Sequence, residues 1–107
     1  MNPPRHVQRG VGPVLQATPL ARTIIAAIEN ENENVVVLDE GAYLRVLVPR
    51  VCRLSRAGLT AVSDPSSRFP ADLEVVMSSF TGAMQLTEDG VVWRLAGEPP
   101  ADPGADP

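Results

Sequence analysis

Two β-branched runs separated by a two-residue turn constrain this chain more than any other feature. Val35-Val-Val-Leu-Asp39 is short and β-branched, Glu40-Gly41 supplies turn chemistry, and Ala42-Tyr-Leu-Arg-Val-Leu-Val48 is extended again. The spacing predicts an antiparallel hairpin, and so a sheet that needs something packed on one face. Alternation along the second strand puts Leu44, Val46 and Val48 on one side and Tyr43, Arg45 and Leu47 on the other. The first set reads as the core face. Tyr43 and Arg45 are then expected to look outward or into a groove.

The packing element is legible just upstream. Thr18-Pro19 is a helix start, with Thr accepting from free backbone N–H groups and Pro tolerated in the first turn. Leu20, Ile24, Ala27 and Ile28 follow as one apolar stripe, which predicts a helix over 19–31. Its end, Glu29-Asn-Glu-Asn-Glu-Asn34, puts acids at the negative end of the helix dipole, so fraying into a solvated loop is expected. Gly10 to Ala17 reads as a short first strand, and Pro13 suggests a sheet edge.

The second half repeats the scheme. Val51 to Ser55 is a strand. Ser55 caps a short helix over 56–63 with Leu59 and Val62 inward, and Asp64 to Pro70 is a loop. Leu73 to Leu86 reads as a strand with a bent polar middle, Ser-Ser-Phe-Thr-Gly. Thr87-Glu-Asp-Gly90 is a hairpin turn, and Val91 to Leu95 is the last strand. The expected class is α+β: duplicated β-α-β-β motifs, antiparallel sheet with helices packed on one face, like an elaborated ferredoxin-like sandwich. Residues 11–95 are expected to form the domain. Residues 1–10 and the Pro/Asp-rich residues 96–107 are expected to be tails.

Composition narrows the function. The chain has 107 residues and a formal charge of -4, and its nine cationic residues, all Arg, are scattered rather than striped. That argues against a surface tracking nucleic acid phosphates. No apolar run approaches the ~20 residues of a membrane span, and a cytoplasmic location is expected. Catalytic candidates are few. His6 is the one histidine and lies in the expected tail, and Cys52 between Arg50 and Arg53 reads more readily as a packed side chain than as an activated thiol. The Glu-Asn alternation lacks the pattern of a calcium loop. Neither a phosphate-binding glycine loop nor paired metal ligands are present. A binding or regulatory module is expected, not an enzyme.

Three stretches carry a resemblance: Val11-Gly-Pro-Val-Leu-Gln-Ala17, Asp39-Glu-Gly-Ala-Tyr-Leu-Arg45 and Val76-Met-Ser-Ser-Phe-Thr-Gly-Ala-Met-Gln85, followed by the acidic turn Glu88-Asp-Gly90. In this order and spacing the chain resembles the effector (coupling, regulatory) proteins of soluble bacterial multicomponent diiron monooxygenases. The likeness is strongest to those acting on aromatic hydrocarbons and alkenes. The resemblance implies a duplicated βαββ fold, no cofactor of its own, and a monomer that docks on the diiron hydroxylase component. Docking would alter oxygen activation and substrate access, and couple electron use to hydroxylation or epoxidation. It also implies that the segment of Val76, Ser78, Ser79 and Phe80, with Thr81 and Gly82 and the strand residues Tyr43 and Arg45, faces that partner. Phe80 is open to two readings, core residue or interface anchor. The long N-terminal extension of methane-type members has no counterpart before Val11, so its role is not carried over. The competing reading is a ferredoxin-like regulatory module that binds a metabolite or another enzyme through a concave polar pocket. A small enzyme, or a structural subunit without regulatory effect, would be further alternatives.

Overall fold

The computed structural model describes residues 10–63 and 68–96. The expected tail residues 1–9 with His6, the loop positions 64–67 and the C-terminal residues 97–107 lie outside them. Seven strands and three helices follow one another: β1 (Gly10–Gln16), α1 (Pro19–Glu31), β2 (Val36–Asp39), β3 (Tyr43–Pro49), β4 (Val51–Ser55), α2 (Arg56–Val62), α3 (Ala71–Val76), β5 (Met77–Thr81), β6 (Ala83–Thr87) and β7 (Gly90–Arg94). They form a four-stranded sheet in the order β2-β3-β1-β5 and a three-stranded sheet in the order β4-β7-β6, antiparallel throughout.

The expected hairpin is present. Val36 to Asp39 pairs with Leu44 to Leu47, and the Asp39 carboxylate accepts the Gly41 N–H at 2.9 Å to close the turn. Helix α1 has the expected bounds, and its Thr18 cap accepts the Ala21 N–H at 3.1 Å. Ile24, Ala27 and Ile28 are fully buried, joined by Ala21 and Ile25. Each large side chain so buried stabilises by about 1.5–3 kcal/mol. The inner faces of both sheets and this helix meet in one cluster: Val11, Leu15, Leu44, Val46 and Val48 from the first sheet, and Cys52, Leu54, Val91 and Trp93 from the second.

Four expectations are corrected. β1 is not an edge, because β5 pairs on its far side; Pro13 sits fully buried beside a register shift in that pairing, where an interrupted ladder tolerates a missing N–H. The acidic end of α1 passes into a loop with Glu33 and Asn34 exposed, as expected, but Glu31 and Asn32 are anchored rather than frayed. The Asn32 side-chain amide donates to the Arg53 carbonyl at 2.8 Å and accepts the Arg53 N–H at 3.0 Å, so it pairs with β4 as a strand residue would. Glu31 accepts the Ser55 N–H at 2.9 Å, at the amino end of α2, where the dipole favours an anion. Val62 is exposed, in the last turn of a seven-residue helix, while Leu59 is buried.

The fourth correction is the largest. Residues 73–86 are not one bent strand but a helical turn and two strands in different sheets. Asp72 and Glu74 lie in the first turn of α3, and the Asp72 carboxylate accepts the Arg68 N–H at 2.8 Å, which fixes the helix start. Leu73 and Val76, three apart, turn into the core together. Gly82 then makes a corner at φ 96°, and the chain leaves the first sheet for the second.

Candidate interaction surface

Cross-strand register decides which side chains share a face. Leu38 of β2 is opposite Arg45 of β3, Arg45 is opposite Val14 of β1, and Val14 is opposite Ser79 of β5. These four form one row across the sheet, on the side away from Leu44 and Leu15. Thr81 lies opposite Gly12, one row along, and Tyr43 lies opposite Gln16 on the other side. Directly opposed residues of an antiparallel pair point to the same face. Tyr43, Arg45, Ser79 and Thr81, far apart in sequence, are therefore brought together on the outer face of the first sheet. Tyr43, Leu38 and Ser79 are exposed there. The Arg45 guanidinium meets Glu40 at 3.4 Å, with both side chains well exposed, so the pair contributes little to stability.

The remaining residues of the expected site separate from this group. Ser78 is the additional residue of a β-bulge: Val14 pairs with Ser79 and Leu15 with Met77, leaving Ser78 between, and its hydroxyl donates to the Val14 carbonyl at 3.2 Å. Phe80 is opposite Pro13, on the core side of the sheet, but at the edge strand it stays 41% exposed. It is neither a core residue nor part of the Ser79 row. Val76 is a correction: at 3% exposure it belongs to the core, because α3 turns it inward beside Leu73. Gly82 is the corner; a Cβ there would run into the Arg94 carbonyl oxygen and stand 2.8 Å from Val11 Cγ1.

Val75 was missed by reading this segment as a strand. It is 72% exposed, the most exposed large apolar side chain among the described residues. The sequence signal was present: Pro70 followed by Asp72 and Glu74 marks a helix start, and helical phase puts Val75 opposite to Leu73.

Elsewhere, the Cys52 thiol is pushed up from 9.0 to about 12, first by burial and then by the nearby Glu31 carboxylate. That is the reverse of an activated thiol. Among the described residues no group of three or more His, Cys, Asp or Glu stands close enough to hold a metal ion. An open depression between α2 and the β6–β7 turn is lined by Ser55, Arg56, Ala57, Thr60, Ala61 and Asp89. Its Arg56 is already committed: Nε donates to the Glu88 carbonyl at 2.7 Å and the guanidinium lies over the Phe69 ring. No helix of the described residues is long and apolar enough to cross a membrane.

The architecture is that of a small α+β protein with two antiparallel sheets, whose first sheet exposes Leu38, Tyr43 and Ser79 on its outer face around the buried Val14 and Leu47. The MmoB/DmpM family model matches residues 9–94, and this chain belongs to that family. It is 36% identical over 85 residues to the effector subunit of an alkene monooxygenase system from Xanthobacter autotrophicus (strain ATCC BAA-1158 / Py2), covering 78% of this chain and 83% of that protein. The fold is shared with a chain in the structure of the phenol hydroxylase–regulatory protein complex, with a TM-score of 0.71 at 13% identity over 79% of this chain and 95% of that one.

Proposed function

We propose that this protein is the effector component of a multicomponent monooxygenase, binding the diiron hydroxylase component through the outer face of its first sheet. One observation carries the reading: in a chain 36% identical to an alkene monooxygenase effector subunit, Tyr43, Arg45, Ser79 and Thr81 converge on one open face. The bulge at Ser78 and the small side chains beside it let a partner's backbone approach closely. Phe80, 41% exposed on the edge strand β5, is an apolar contact at the rim of this face. Aromatic side chains of this kind carry a large share of binding energy in many interfaces.

The protein acts without catalytic groups of its own, in the cytoplasm with its hydroxylase. An effector shifts its target between conformations only through differential affinity for them. A tenfold shift requires ~1.4 kcal/mol, which a few contacts supply. In this reading the chain binds best to the oxygen-ready hydroxylase and so couples electron use to hydroxylation or epoxidation.

The test is hydrocarbon oxidation by the hydroxylase and its reductase partners, titrated with this protein. Wild type is expected to stimulate turnover. Ser79→Trp, at an exposed position, is expected to keep the circular dichroism of the fold and to lose stimulation. Full stimulation by Ser79→Trp would remove the outer face from the mechanism.

A further inference from the structure

The second sheet has an outer face too, and its charges are segregated. Arg53 of β4 is opposite Val92 of β7, which is opposite Gln85 of β6; Val51 is opposite Arg94, which is opposite Ala83. These rows point away from the Cys52–Trp93–Met84 row of the core. The two arginines are diagonal neighbours on one face, about 7–8 Å apart by strand geometry with their Cβ atoms somewhat closer. No Asp or Glu stands at any strand position on this side, although the chain as a whole carries 13 acidic against 9 basic residues.

Both guanidinium groups have unmet hydrogen-bonding capacity. Arg94 donates from Nη1 to Gln85 Oε1 at 2.9 Å, and its Nε is enclosed, so only its remaining N–H groups are left to face a partner. Arg53 is exposed, and among the described residues its guanidinium has no acceptor, while its backbone is held by Asn32. Arg53 therefore keeps its side-chain donors free for an external anion, with the ordering of that side chain part of the cost of binding.

The two outer faces adjoin at one corner. The chain passes from Thr81 on the first through Gly82 to Ala83 on the second. We propose that the Arg53–Arg94 face continues the docking surface around this corner and engages an acidic patch on the hydroxylase, steering association. This rests on the docking reading above and adds the sign of the partner's charge to it.

The test is stopped-flow association of the intact protein with the purified hydroxylase across ionic strength. Arg53→Glu is expected to slow association about tenfold at ~0.01 M salt, and to approach wild type at ~1 M salt, where the screening length is short. Arg22→Glu changes the net charge equally at an exposed position on α1, and is expected to stay within about twofold of wild type. Wild-type association by Arg53→Glu at low salt overturns the proposal. So does equal slowing by Arg22→Glu, since net charge alone would then be responsible. Ser79→Trp in the same series separates the two ideas: tight binding by that variant sinks the docking reading itself, whereas weak binding with Arg53→Glu unaffected sinks only this extension.

Discussion

Single positions decide where this chain can bend and what it can expose. Gly82 carries the switch between sheets, at φ 96° and with no room for a Cβ against the Arg94 carbonyl and Val11. Gly41 has a similar φ of 85° but open space around it. Gly41→Ala should therefore cost only the left-handed backbone penalty, about 1–2 kcal/mol, and Gly82→Ala clearly more, because backbone must move as well. Urea unfolding of the two variants side by side checks this; equal losses would contradict the steric reading. Cys52 gives a second residue-level expectation. Its folded pKa is raised from 9.0 to about 12, so the neutral thiol favours folding. That contribution is fully present below about pH 9 and is lost as pH rises from 9 toward 12. Cys52→Ser, with a group that does not ionise there, should show a shallower fall in stability over that window. Wild-type thiol should also stay unreactive toward a disulfide reagent at neutral pH until the protein unfolds.

Elements assemble through contacts that local pattern does not reveal. The join between α1 and β4 rests on Glu31 and Asn32, with Asn32 also donating to the Ile28 carbonyl at 2.7 Å. Removing this amide leaves backbone groups of Arg53 at an exposed edge. Asn32→Ala is expected to destabilise by about 0.5–1.5 kcal/mol, read from the unfolding midpoint, because water replaces the lost partners at this edge; Asn30→Ala, exposed on the same helix, serves as its control. The sequence made α1, the β2–β3 hairpin and the β6–β7 hairpin legible because each is set by local signals: a Thr-Pro start, a 3.6-residue stripe, a two-residue turn. It hid the Glu31–Asn32 clamp because the partners are more than 20 residues away. It hid α3 because Leu73 to Met77 fits either period over so few residues, and only the acids before it favour the helix. The same ambiguity misplaced Val76 as a surface residue and concealed Val75. Family resemblance points to Tyr43, Arg45, Ser79 and Thr81; that they share a face follows only from the register of three strands, which no single segment contains.

The molecule as a whole is two antiparallel sheets closing on one apolar cluster, with outer faces that differ in character. The first presents Tyr43, Leu38, Ser79 and Thr81 around a loosely paired Arg45; the second presents arginines without carboxylates. The helices occupy the opposite, core side, so a partner that docks on the sheets leaves α1 uncovered. The direct measurement is site-specific photo-crosslinking to the hydroxylase, with the probe placed at Ser79 on β5 or at Arg22 on α1, both exposed in the free chain. The account predicts efficient crosslinks from position 79 and few from position 22. Crosslinks from position 22 with none from position 79 would contradict it.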